Sequence, residues 1–148
     1  MPEKKTLERA RKDKRQGKSA STQAGEFVRE EMEHIRHGKH GARSPEQAIA
    51  IGLSKARRAG VKLPAPEPGE ASAETRRHAK QDLKRGASHK KPSAKRARAT
   101  RAALKDEGKS AASKKALASY ARTAARRRTA AERSASAKKA ARTRARKK

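Results

Sequence analysis

The sequence predicts a mostly α chain with extensive disorder, in which a small two-helix hairpin is flanked by basic, helix-prone arms. Three observations lead there. Charged residues make up 39% of the 148 and aromatic residues 1%. Only fifteen side chains are large and apolar, and nine of them fall between positions 27 and 63. From position 92 onward, Lys, Arg, Ala, Ser and Thr supply 49 of the 57 residues. A chain this poor in apolar surface and this rich in one charge cannot offset the entropy of ordering its whole length. The nine central side chains suffice for a small nucleus, which a protein partner or a second copy is expected to complete.

Five segments follow in order. Residues 1–20 form a basic arm, with a helix candidate at 2–16 that carries Pro2 at the favoured first position and Leu7 as its one large apolar side chain after Met1. Residues 21–63 hold the hairpin. Its first helix is expected over 23–37, capped by Ser21 or Thr22, because Ala24, Phe27, Val28, Met32 and Ile35 recur at the helical period and make one stripe. Glu31 interrupts that stripe and must lie at its wet edge or pair with an Arg. Glu26, Glu30 and Glu33 share the outer face, an acidic stripe that should turn away from any polyanion or receive a basic arm.

The second hairpin helix is the best signalled element. Ser44 is its cap, Pro45 opens the first turn, Gln47 completes a capping-box pattern, and Gly60 ends it. Ala48, Gly52, Ala56 and Ala59 form a small-residue edge suited to close helix packing. Ile51 points the other way and is hard to bury in a bare hairpin, which argues for a partner surface there.

Residues 64–71 read as a linker, because the prolines of PAPEPG exclude helix and sheet. Residues 72–91 are basic and helix-prone, anchored by Leu83 alone. The tail, 92–148, contains helix-prone stretches at 93–107 and 113–147, expected as nascent helices that order on a polyanion. Gly17, Gly38, Gly60, Gly86 and Gly108 are spaced so that each could end a helix in the left-handed conformation.

Charge carries the functional reading. The chain's formal net charge is +28, and residues 92–148 contain 20 Lys or Arg against Asp106, Glu107 and Glu132. Positive charge at that density suits a polyphosphate, bound through counterion release. The expected contacts are Lys95, Arg96, Arg98, Arg101, Lys114, Lys115, Arg126, Arg127, Arg128, Lys138, Lys139, Arg142, Arg144, Arg146, Lys147 and Lys148, joined by Lys39 in the hairpin turn and by Arg57 and Arg58 at the end of its second helix. DNA is favoured over RNA as the partner. Base reading is not expected, because Phe27 reads as core and Tyr120 stands alone.

Several other chemistries drop out. With no cysteine, disulfides, thiolate zinc sites and thiol catalysis are excluded. The two GKS tripeptides, beginning at Gly17 and Gly108, have Lys12 and Ala103 where a phosphate loop needs its first glycine. Gly38-Lys39-His40-Gly41 matches the GxxG of KH modules, yet no strand pattern supports that fold. A phosphate contact at this turn and a plain helix stop with a flexible turn both stay open. His34, His37 and His40 are three apart, but Gly38 should stop the helix between them, and Glu31-x-x-His34 occurs once. They read as solvated histidines, with no metal and no cofactor. No nucleophile–base pairing suggests an enzyme. No apolar run reaches membrane-spanning length, no signal-peptide core opens the chain, and the expected location is the cytoplasm, on the nucleoid if the source is bacterial.

The block STQAGEFVREEMEHIRHGKHGARSPEQAIAIGLSKARRAGVK at 21–62 resembles a bacterial family of small, basic, uncharacterised proteins, some of them labelled DNA-binding or plasmid stabilisation protein. The resemblance lends no catalytic residues. Residues 90–148 resemble, in composition only, the Lys/Ala-rich tails of linker histones and histone H1-like proteins, without their proline density or SPKK units. Together these imply a sequence-indifferent DNA-binding protein acting by phosphate neutralisation. An RNA- or ribosome-associated factor is the alternative, and a protein-partner adaptor with a basic tail is a third.

Overall fold

The computed structural model describes residues 1–88 and 93–146. Along them run α1 (Lys4–Arg15), α2 (Ala20–Arg36), α3 (Pro45–Arg58), α4 (Ala73–Ser88), α5 (Ala94–Lys105), a 3-10 turn at Ser110–Ala112, α6 (Lys114–Arg126) and α7 (Ala130–Ala145). The chain divides into two compact units, Met1–Ser113 and Lys114–Lys148.

The mostly helical expectation holds, but extensive disorder and a lone two-helix hairpin do not: seven helices cover most of the described residues. The reason lies in what fills the core. Of the twelve buried hydrophobic residues among those described, eight are alanine, including Ala10, Ala79, Ala111 and Ala112 outside the hairpin. Counting only large side chains overlooks this packing. Alanine also carries the highest helix propensity and loses no side-chain entropy on burial. The hairpin of α2 and α3 therefore takes α1 against α2 and α4 against α3. A cluster of Ala10, Ala24, Phe27, Ala56 and Val61, flanked by Leu7, Ala20, Leu53 and Leu63, joins the first three helices.

Local signals placed the helices well. Ser44 Oγ accepts the Gln47 amide at 3.2 Å with Pro45 in the first turn, as expected for α3. α2 begins earlier than its apolar stripe, because Ser19 rather than Ser21 or Thr22 is the cap, accepting the Thr22 amide. The stripe itself is buried at Ala24, Phe27, Met32 and Ile35. Gly17, Gly38 and Gly60 end helices at positive φ, whereas Gly86 lies inside α4 and serves close approach: a Cβ there would overlap the Arg57 carbonyl oxygen. The helix expected across 113–147 breaks at 127–129, where Thr129 and Glu132 cap each other reciprocally and start α7.

The α2–α3 crossing depends on Gly52. A Cβ at this position would lie 2.7 Å from Val28 Cα and 3.0 Å from Val28 N, atoms that cannot swing aside. Gly52→Ala, which in an exposed helix would add up to about 1 kcal/mol of stability, is expected to cost about 1–3 kcal/mol here through overpacking. Urea unfolding followed by circular dichroism measures it. Ile51 is half-buried, and Met1 is the one large apolar side chain left exposed among the described residues. Ile51 is thus partly covered within the chain itself.

The turn after α2 is also closed. Gly38, at φ 72°, lets the Lys39 amide return to the His34 carbonyl at 2.9 Å, and the chain doubles back over the helix end. Residues 104–112 then dock on this elbow. The Gly41 amide donates to Leu104 O at 2.7 Å, Ala42 donates to Gly108 O at 3.0 Å, and Arg36 Nε donates to Ala112 O at 2.9 Å. A Cβ at Gly41 would overlap the Glu107 carbonyl oxygen, so this glycine is required by contact.

Candidate functional site

Two assemblies of polar side chains stand out, one exposed and one buried. The exposed one is a set of cations carried by α4 and α5 in the first unit and, separately, by α6 and α7 in the second. Lys95, Arg96, Arg98 and Arg101 project from α5, Lys114, Lys115 and Arg126 from α6, and Lys138, Lys139, Arg142 and Arg144 from α7, all solvent-exposed. Arg127 and Arg128 form the α6–α7 turn and Arg146 follows α7, equally exposed, while Lys147 and Lys148 lie outside the described residues. α5, α6 and α7 have no buried residue at all. Lys138 and Arg142 on α7 and Arg146 at its C-cap recur every four residues, a cation about every 6 Å along the axis. At the turn, Arg128 donates to the Glu132 carbonyl at 3.2 Å and to the Ser136 hydroxyl, and Arg133 donates to the Arg128 carbonyl at 3.0 Å. These bonds brace the break between the helices.

The ion pairs among the described residues all fall between Glu3 and Arg85. There seven of the twelve acids are matched, and Glu8, Glu33, Glu46, Glu67 and Glu70 form no ion pair. Asp13 holds Lys18 at 2.6 Å, Glu26 takes Arg9 at 3.6 Å and Arg29 at 3.4 Å, and Asp82 takes Arg58 at 3.7 Å and the Ser54 hydroxyl at 2.5 Å. The acidic stripe of α2 therefore does receive the basic helix of the same chain at Glu26. Beyond Arg85, no described Lys or Arg forms an ion pair, and Arg128 acts on the Glu132 carboxyl only at longer range.

Lys39, Arg57 and Arg58 differ from the other expected contacts, Arg58 through its pair with Asp82. Lys39 Nζ lies 2.8 Å from Glu3 Oε1. Arg57 is buried, donating Nε to Leu63 O at 3.2 Å and Nη2 to Pro64 O at 3.0 Å, so its charge fastens the linker to α3. Burial lowers its pKa from the ordinary arginine range, and Asp82 partly opposes that shift. The GxxG turn is likewise engaged, since its Gly41 amide is bound to Leu104 O.

One cationic patch escaped the sequence reading. Arg76, Arg77, Lys80 and Lys84, with Ala73 and Gln81, line an open groove of about 420 Å³ on α4, and the Arg76 Nε is shielded from solvent without a hydrogen-bond partner. The recurrence of a cation at 76, 80 and 84 was the available signal.

The buried assembly lies at the C-terminal end of α2. Glu31 is fully buried, and neither carboxylate oxygen has an aligned hydrogen-bond donor. Oε1 instead lies 2.5 Å from His40 Nε2 and Oε2 lies 2.5 Å from Lys55 Nζ. Glu31 was expected at a wet edge or beside an Arg; its partners are a Lys and a His because α3 and the elbow both cover this face. Lys55 also reaches Glu30 Oε1 at 3.8 Å, and Glu30 Oε2 accepts the Glu3 amide at 3.1 Å. His34 Nε2 lies 2.8 Å from Glu3 Oε1. His34 and His40 are 13% and 11% exposed, so they are not the solvated histidines the sequence suggests. His37 alone of the three faces solvent.

Hydrogen bonds from Lys39 and then His34 hold the Glu3 carboxyl down at about 2. Because the folded value is depressed, this tie is in place above the ordinary carboxylate range near 4.5 and is lost as pH falls through about 2. Titration of the Glu3 side chain by carbon-detected NMR should show a single midpoint near 2, and a midpoint near 4.5 would mean the tie is not formed.

Residues 11–67 match a family of unknown function (DUF6496). No curated protein and no solved structure matches the chain. No helix among the described residues is long and apolar enough to cross a membrane.

Proposed function

We propose that the chain binds nucleic acid, duplex DNA before RNA, by neutralising phosphate without reading bases. One observation carries the reading: the ion pairs among the described residues all lie within the first 85, while the described cations beyond Arg85 are solvent-exposed and form none. Helix dipoles and desolvation have no part in this mechanism. It needs only exposed cations dense enough to replace the counterions that surround a duplex, which carries one charge per about 1.7 Å of axis. Specific readout lacks its tools, since Phe27 is buried, Tyr120 is half-buried, and neither offers a stacking platform. The compact Met1–Ser113 unit then acts as a folded body carrying α4 and α5, and Lys114–Lys148 as a second charged body. Coating or condensing of DNA in the manner of histone H1-like proteins is the biological form this takes.

Mobility shifts of the full chain against duplex DNA, single-stranded DNA and structured RNA, at matched salt, test it. Binding of unrelated duplexes with equal affinity is expected, falling about 10³-fold or more between 50 and 200 mM salt. Tighter binding to RNA at every salt would reassign the partner. A shallow salt dependence would remove the mechanism.

A further inference from the structure

We propose that Glu31, His34 and His40 form a binding site for one divalent transition-metal cation of the Zn²⁺ class. Three facts converge on it. A ligand atom from each residue lies within 4.8 Å of the others, so a modest adjustment brings all three to one ion. The donor set, two imidazoles and a carboxylate, is one that Zn²⁺ and its neighbours favour over Ca²⁺ or Mg²⁺. Thirdly, His40 is held in the tautomer that coordination requires.

That third fact follows from hydrogen-bond chemistry. His40 Nδ1 lies 3.0 Å from the Gly41 carbonyl oxygen, which can only accept, so Nδ1 carries the proton. In a neutral ring, Nε2 then presents its lone pair to Glu31 Oε1 at 2.5 Å. Two acceptors at that distance repel unless positive charge stands between them. The contact lacks hydrogen-bond alignment, and Oε1 is wholly buried. A backbone carbonyl fixing one imidazole nitrogen while the other ligates is a recurrent arrangement at metal sites.

The surroundings agree in sign. Glu3, Glu30 and Glu31 face Lys39 and Lys55, which leaves one carboxylate charge in excess. Lys55 occupies Glu31 Oε2 and leaves Oε1 for the cation. The site lies in the last two turns of α2, where the helix dipole favours positive charge. Gly38, which separates the histidines in sequence, turns the chain so that His40 returns over His34, with ring centroids 6.0 Å apart.

The test uses the full chain, stripped with chelator and free of nucleic acid, so the fate of the DNA-binding reading does not enter. CoCl₂ is titrated and followed by visible ligand-field absorption, then displaced with ZnSO₄. One equivalent is expected to bind saturably and to raise the unfolding temperature. His34→Gln and His40→Gln should each weaken binding about 100-fold or more, ligand loss costing at least what loss of an outer partner does. His37→Ala and His78→Ala, at exposed histidines, should leave it unchanged. Far-UV circular dichroism confirms that each variant folds, and His34→Ala replaces any that does not. Absence of a saturable equivalent, or an equivalent that survives either glutamine substitution, overturns the site; the first of these results would mean that a proton alone stands between His40 and Glu31.

Discussion

Removing residues 114–148 is expected to lower affinity for duplex DNA at least about 10³-fold at low salt, and to flatten its salt dependence. That unit has 14 Lys and Arg against Glu132 alone, and Glu132 is occupied in capping α7. Each phosphate contact contributes about 0.9 to the slope of log affinity against log salt, so loss of six contacts removes about 5. Single substitutions sharpen the argument. Arg127→Gln, at an exposed side chain in the turn, should reduce the slope by about one contact and leave helix content unchanged. Arg128→Gln should also loosen the turn, because its guanidinium braces the Glu132 carbonyl. Fluorescence anisotropy over a salt series reads both. If the truncated chain keeps the full slope, the binding surface lies in α4 and α5, and the α4 groove with Arg76, Arg77, Lys80 and Lys84 becomes the place to look.

Glu31→Ala should destabilise the first unit by about 3–5 kcal/mol, the usual cost of stranding a buried charge. Glu31 is 0% exposed and lies between Lys55 and His40, so its removal leaves the Lys55 ammonium with only Glu30 at 3.8 Å and the His40 imidazole beside a cavity. Lys55→Met should cost nearly as much by the opposite route, because the Glu31 carboxylate loses its nearest cation. The double variant Glu31→Leu with Lys55→Met separates charge from packing. Replacing both partners with apolar groups of similar volume is expected to recover most of the loss, since buried pairs gain little net stability over a packed apolar pair. Urea denaturation of Glu31→Leu, Lys55→Met and the double variant, against the parent chain, gives the coupling energy directly. Additive losses would show that the pair is not coupled.

The central hairpin was legible because its signals are local. Ser44, Pro45 and Gln47 announce α3, and the Ala24-to-Ile35 stripe announces α2. The packing of α1 and α4 was not legible, because it rests on Ala10 and Ala79, and alanine looks the same in a buried seam as on a solvated helix. Gly38 misled in a different way. Read as a stop it separates His34 from His40, whereas its left-handed conformation folds one back over the other. The Thr129-x-x-Glu132 box was visible, and the run of alanine and arginine around it obscured the break it makes. Charge was legible in amount but not in disposition: nothing local distinguishes Arg57, turned inward to two carbonyls, from Arg58 beside it.

A core built chiefly from methyl groups has a thermodynamic signature of its own. Heat capacity on unfolding scales with apolar area exposed, about 0.45 cal/mol/K for each Å², and alanine contributes little of it. With eight alanines among twelve buried hydrophobic residues, the first unit should fall below the ordinary value of about 12–15 cal/mol/K per residue. Its stability curve is then shallow, changing little between cold and warm, and its thermal transition is broad for a body of this size.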